Sequence, residues 1–357
     1  MNPTNSYEEK YDYSVSFVRF VATFMIVWCH ILQHYGRWDA FWFNCGVQIF
    51  IFISGFLFGQ RKIEDGYKFI KKRLYRILLD YYICLIFDLI IYYFVNREGL
   101  TWDGIKGLLF FNRTIRGLGH LWFIPTICFL YIATPLFVRI LDDLEEFLDS
   151  RVTSRVIAKI IEYVVLWFLF VWIGKFIGVL SYVNCLIYCL GLLAGRNKVK
   201  NPQKNTWLKV GCRVAAPLAI IGTGLCISYE QLGKIAFFST HTDFYSRWFY
   251  PLNHAALGIG IFCVLYFLED KIGIFRRFSK IAKLSDKYSY DIYLSHHIWV
   301  QNPVSLFNLP FAFIPKFFLT ALVVGIQTVL VRLLSDKTDK NIVKSLTNKG
   351  AHNSRTH

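Results

Sequence analysis

The chain has 357 residues, of which 55% are hydrophobic and 18% aromatic, with a mean hydropathy of +0.40 and a formal net charge of +16. Apolar runs of bilayer-spanning length exclude a soluble globule and predict an integral membrane protein. The basic residues are spread over alternating loops and not gathered on one aromatic-interleaved face, which excludes a nucleic-acid partner and leaves membrane lipids as the ordinary one.

Apolar runs between polar breaks predict an all-α polytopic fold with about ten transmembrane helices: 14–35, 41–59, 77–95, 120–138, 160–178, 182–195, 212–229, 248–268, 288–306 and 313–333. The first run lacks a small-residue cleavage site and is followed by further runs, so it reads as a retained span. With a cytoplasmic amino terminus, thirty of the forty Lys and Arg fall on inner segments, among them Lys10, Lys204, Arg332 and Arg355, against eight on outer ones, among them Arg113. That asymmetry predicts N-in and C-in termini. The domain organisation is then a short cytoplasmic segment, 1–13, one membrane domain, 14–335, and a polar, flexible cytoplasmic tail, 336–357. The nine cysteines contain no CxxC pair and read as small buried hydrophobes; no metal site is expected.

Arg19 and His30 open the series of polar residues within the spans. Eleven steps make close to three helical turns, so both side chains share one face, about 16 Å apart. An ionisable group in hydrocarbon costs at least about 2.5–3.5 kcal/mol, so Arg19, His30, Asp80, Asp88, His254 and His296 each require a protein-lined or wet environment. Arg19 lies toward the inner face and His30 toward the outer one, near Gln33 and His34. The plain alternatives are snorkelling for Arg19 and a hydrogen-bonded interfacial role for His30.

The second span contains Ser54-Gly55-Phe56 within a Phe-rich run, where Gly55 permits close backbone approach. Small-residue helix packing competes there with a thin wall past which a ligand moves. Arg73 and Arg76, three apart at the mouth of the third span, share a face and suit phosphate oxygens, although positive-inside anchoring explains them too. His120-Leu121-Trp122 opens the fourth span after the turn Gly117-Leu118-Gly119, with Trp122 also suited to an aromatic belt. In the run Ser289-Tyr290-Asp291-Ile292-Tyr293-Leu294-Ser295-His296-His297, adjacent His296 and His297 point in different directions, and His296 alone is expected at a site.

These five segments, in this order, resemble acyltransferase family 3, ten-helix membrane proteins that include O-acetylases of surface polysaccharides. The matching signs are Arg19 and His30 in the first helix; Ser54 to Phe56; Arg73 and Arg76 as an Arg-x-x-Arg pair; Leu121 to Phe123; and Tyr290 to His296 as Tyr-x-Ile-Tyr-Leu-x-His. Where relatives commonly carry Pro shortly after the Arg pair, this chain has Leu78-Leu79-Asp80.

The resemblance implies a multi-pass protein of the bacterial cytoplasmic membrane. It also implies acyl-CoA, foremost acetyl-CoA, as a donor substrate rather than a bound cofactor, and a glycan or lipid-linked saccharide hydroxyl as acceptor. Within that frame His30 is expected as general base with Arg19 as its catalytic companion, and Arg73 and Arg76 as donor-binding. Ser54, Gly55, His120, Trp122, Tyr293 and His296 are expected to line the acceptor site or pore. A covalent acyl-imidazole on His30 and direct transfer both fit the residues. The sequence has no fused hydrolase-like domain, so transfer is expected to finish in the membrane domain or with separate polysaccharide-assembly proteins. A polysaccharide exporter or other secondary carrier is the rival reading, because basic-looped helices with interior Arg, His and Asp also describe a transporter.

Overall fold

A computed structural model describes residues 11–112, 114–151, 154–177, 181–202 and 205–353. Lys10, Arg113, Lys204 and Arg355 lie outside the described residues, as do residues 1–10 of the amino-terminal segment and 354–357 of the tail. The chain is 86% helical, with no strand among the described residues. The main helices are α1 Tyr13–His34, α2 Gly46–Gly59, α3 Gly66–Val95, α4 Trp102–Leu109, α5 Phe123–Arg151, α6 Arg155–Ile177, α7 Tyr182–Lys200, α8 Ala216–Glu230, α9 Tyr250–Ile272, α10 Ser279–Val300 and α11 Phe313–Asn353.

Each of the ten expected spans falls on helix, but eight helices are long and apolar enough to cross a membrane among the described residues. The two that fall short are α7, which carries Asn184, Arg196, Lys198 and Lys200, and α10, which carries Lys280, Lys283, Asp286, Lys287 and Asp291. Some of these groups are paired inside the protein: Lys198 with Asp12 at 2.6 Å, Asp286 with Arg19 and Asp291 with Arg332. The last helix runs on past Ser335 to Asn353, so the polar tail begins as helix.

Local chemistry sets the helix ends. Asp65 caps α3 by accepting the Lys68 N–H at 2.9 Å, and that hydrogen bond holds its carboxyl below the ordinary range. Gly273, at φ +69°, closes α9 in the left-handed conformation that glycine adopts without a Cβ clash.

The chain divides into two compact units: residues 1–25, 44–61 and 183–287 form one, and residues 26–43, 62–182 and 288–357 the other. In the first unit α2 and α7 approach backbone to backbone. A Cβ on Gly55 would run into the Tyr188 carbonyl oxygen, one on Gly59 into that of Leu192, and one on Gly195 into that of Phe56. Small residues are what allow such contact between membrane helices. Gly55→Ala is therefore expected to destabilise the fold by about 1–3 kcal/mol through overpacking. A thermal midpoint equal to wild type in detergent would show that the contact is not tight.

In the second unit Ile31, Val300 and Phe307 form a buried cluster supported by Val27, Trp28 and Phe317, which fixes the end of α1 against α10 and α11. The opposite kind of surface appears on α6, where Phe168, Trp172 and Phe176 recur every fourth residue and are exposed at 61%, 63% and 88%. A continuous apolar stripe of that size suits hydrocarbon and not water.

Candidate functional site

Four imidazoles meet in the second unit. His30 comes from the last turns of α1, His120 from the 3₁₀ turn Gly119–Trp122, and His296 and His297 from α10. The ring centres of His30 and His297 are 4.5 Å apart, those of His30 and His296 5.3 Å, and those of His120 and His297 4.4 Å with the rings stacked. Neighbouring residues on a helix project about 100° apart. Both His296 and His297 nevertheless join the cluster, because the end of α1 and the 117–120 turn approach α10 from different sides and His30 reaches both rings. The structure thus brings together both rings, where the sequence pointed to His296 alone.

Each ring gives one N–H to a carbonyl oxygen. His30 Nδ1 donates to Gln33 Oε1 at 2.8 Å, His120 Nε2 to the Leu294 carbonyl at 3.1 Å, His296 Nδ1 to that of Tyr293 at 2.8 Å, and His297 Nδ1 to that of Gly117 at 2.7 Å. A carbonyl only accepts, so in a neutral ring the second nitrogen carries a lone pair. For His120 Nδ1 and His296 Nε2 that nitrogen is buried and has no hydrogen-bond partner among the described residues. The cluster is thus a set of oriented bases. Among the described residues no group of three or more His, Cys, Asp or Glu is arranged to hold a metal ion.

A cleft of about 480 Å³ opens beside this cluster, lined by Gln33, Arg116, His297, Gln301 and Asn302 together with Thr114, Ile115, Gly117 and Gly119. Two of these residues contact His30 directly, since Gln33 accepts from its ring and Gln301 Nε2 donates to its carbonyl at 2.7 Å. The tight turn depends on Gly117, at φ +87°, where a Cβ would meet the Asn302 carbonyl oxygen at 2.9 Å.

Two further polar layers lie along α10. One layer joins Asp88, Gln327, Cys84 and Trp299: Gln327 Nε2 donates to Asp88 at 2.7 Å, and the Trp299 indole donates to Gln327 Oε1 at 2.6 Å. In the other, buried Arg332 pairs with Asp291 at 2.6 Å and with Asp80 at 3.3 Å, while Ser335 donates to Asp80. Six residues separate Asp291 from His297, about 9 Å of helix rise. Arg332, counted above as a loop cation, is 3% exposed and belongs to the interior. Sequence reading missed it and Gln327. The available signal was the four-residue spacing of Asp80, Cys84 and Asp88 on α3, which puts three polar groups on one face in need of partners.

The family model described as an acyltransferase domain matches residues 12–334. The chain belongs to acyltransferase family 3. No curated protein and no solved structure matches it. Family membership and the apolar helices together make it a multi-pass membrane acyltransferase.

The residues that carry the family 3 resemblance occupy distinct places. His30, His120, Tyr293 and His296 are brought together, with the Tyr293 hydroxyl donating to the His120 carbonyl at 2.5 Å. That bond uses the only phenol proton, and His120 Nε2–H is used on Leu294, so neither is a free donor toward an acyl oxyanion. Trp122 is 47% exposed, as an aromatic-belt residue would be.

Arg73 and Arg76 lie near the start of α3 in the same unit, Arg73 over the Phe69 ring at 5.7 Å and Arg76 half-exposed at 4.0 Å from Asp80. Arg19, Ser54 and Gly55 belong to the first unit. Arg19 is paired with Asp286 at 2.5 Å, and the same carboxylate accepts from Tyr11 and Ser16. The Ser54 hydroxyl donates to the Phe50 carbonyl at 3.0 Å, and Gly55 is the close contact described above. His254, also in the first unit, gives its Nδ1 proton to the Tyr250 carbonyl at 3.0 Å.

Proposed function

We propose that this family 3 enzyme is an O-acyltransferase of the bacterial cytoplasmic membrane. It moves an acyl group, foremost acetyl, from cytosolic acyl-CoA to a hydroxyl of a cell-surface or lipid-linked glycan. The observation that carries this reading is the His30 ring. Its Nδ1 proton is committed to Gln33, which leaves Nε2 as a base, and Gln33 also lines a cleft rich in side-chain amides. Amides and backbone groups are suited to sugar hydroxyls because they offer donors and acceptors together.

A free hydroxyl is a weak nucleophile at neutral pH, so its proton must leave as attack occurs. His30 Nε2 accepts that proton while the hydroxyl oxygen forms a bond to the thioester carbon. The carbon–sulfur bond then breaks, and the proton passes to the departing thiolate to give free CoA. The lone pairs of His296 and His297 beside His30 offer the proton a place to reside between the two events. Arg73 and Arg76 supply guanidinium groups for the donor's phosphates.

The full chain in nanodiscs, supplied with radiolabelled acetyl-CoA and an oligosaccharide pool, is expected to release free CoA only when saccharide is present and to add acetyl mass to it. Arg73→Ala should raise the KM for acetyl-CoA about tenfold or more with the saccharide KM held. CoA release that ignores the saccharide, or a saccharide of unchanged mass, would overturn the proposal.

A further inference from the structure

The proposed activity leaves the acceptor's chemistry open, and the cleft beside the imidazoles bears on it. Among the described residues its lining contains no carboxylate, three side-chain amides and one permanent cation, Arg116. Arg116 is exposed and has no carboxylate partner among the described residues. The contrast with Arg37 is instructive, since that guanidinium forms a two-pronged pair with Asp39, both contacts at 3.0 Å, and is thereby neutralised. Among the described residues of the lining, Arg116 is a fork without a carboxylate partner, and its planar pair of N–H donors matches the oxygens of a carboxylate or a phosphate.

The position of Arg116 is fixed relative to the base. It precedes Gly117, whose carbonyl accepts the His297 Nδ1 proton at 2.7 Å and whose Cα is too close to the Asn302 carbonyl to admit a side chain. The turn therefore presents the guanidinium from the same short segment that orients an imidazole. At Gly119 the wall is open, with nothing within 4 Å of where a Cβ would stand. A sugar ring can approach the backbone there while its charged substituent lies toward Arg116.

We propose that this cleft takes an acceptor saccharide bearing a fixed negative charge, a carboxylate or a phosphate, on the reacting sugar or its immediate neighbour, and that Arg116 grips that charge. The inference rests on the glycan-acylation reading and narrows its substrate class. A neutral glycan would leave the guanidinium facing water, with amide hydrogen bonds as its main source of selection.

The test uses the full chain in nanodiscs with radiolabelled acetyl-CoA and three matched acceptor pools: neutral gluco-oligosaccharides, their glucuronate-containing counterparts, and the same gluco-oligosaccharides as 1-phosphates. Wild type is expected to favour one charged pool over the neutral pool by about tenfold or more in kcat/KM. Which charged pool it favours tells a carboxylated sugar from a phosphorylated one.

In Arg116→Gln the ratio of charged to neutral kcat/KM is expected to collapse toward one, and Arg116→Lys should retain part of it. A merely structural role would lower all three rates together and leave the ratio standing. A wild-type ratio near one, or a ratio preserved in Arg116→Gln, overturns the inference and leaves glycan acylation intact. Wild type that acylates none of the three pools overturns the glycan reading and this inference with it.

Discussion

His30→Ala is expected to lower acyl transfer about 10²- to 10⁴-fold, the range over which a positioned general base acts. The loss should fall on kcat, since the donor phosphates are assigned to Arg73 and Arg76 at the other end of the second unit's polar interior. The geometry makes the prediction specific to one nitrogen. His30 Nδ1 is held by Gln33 at 2.8 Å, so the ring cannot turn over without losing that bond, and Nε2 is the atom available to a hydroxyl. The neighbouring imidazoles do not replace it. His120 and His296 are 3% and 0% exposed, and each spends a proton on a backbone carbonyl. Single-turnover transfer from radiolabelled acetyl-CoA, with membrane insertion checked in parallel, measures the effect. Activity within a few-fold of wild type would remove His30 from the chemistry and shift the role to His297, which lines the cleft.

Arg332→Ala is expected to be the most destabilising single change, by about 3–5 kcal/mol, the usual cost of removing one partner from a buried ion pair. Arg332 bridges Asp291 on α10 and Asp80 on α3, and its removal leaves two buried carboxylates without their shared cation. Arg76 is no substitute, because its guanidinium is 52% exposed and stands 4.0 Å from Asp80. Unfolding in mixed micelles is the measurement. The triple variant Arg332→Met, Asp80→Asn, Asp291→Asn should recover much of the loss, since the penalty comes from unpaired charge and not from lost volume. A single variant as stable as wild type would mean that water or lipid headgroups reach the site.

The same ion cluster connects the two ends of the proposed reaction path. Asp80 lies one helical turn from Arg76, and Asp291 lies about 9 Å of helix rise from His297. The arginine proposed for the donor and the imidazoles proposed for the acceptor lie on helices joined by one buried salt bridge. Such a bridge contributes modestly to stability when intact, whereas removing one partner is costly.

The sequence by itself determined the solvent, the helical class and the family. Apolar runs of span length leave the backbone no way to satisfy its polar groups in lipid except as helix. The five short motifs in order sufficed to indicate acyltransferase family 3. Of the residues the structure brings together, His30 and His296 stood out in the sequence because an ionisable residue at membrane depth demands a reason, and His120 and Tyr293 because of the short motifs that carry them.

The tertiary structure alone decided the partners. Arg332 read as a loop cation at the end of a span, and only the approach of α3 and α10 makes it the buried counter-ion of Asp80 and Asp291. His297 read as the misdirected neighbour of His296, and only the second wall of the cluster, the 117–120 turn, gives it a role. Arg116 takes its meaning from a cleft whose described lining brings it no carboxylate. The physical reason is that burial and charge compensation depend on which groups the fold brings together, and the pairs formed by Arg332 and His297 join residues 41 to 252 positions apart, where no local pattern reaches.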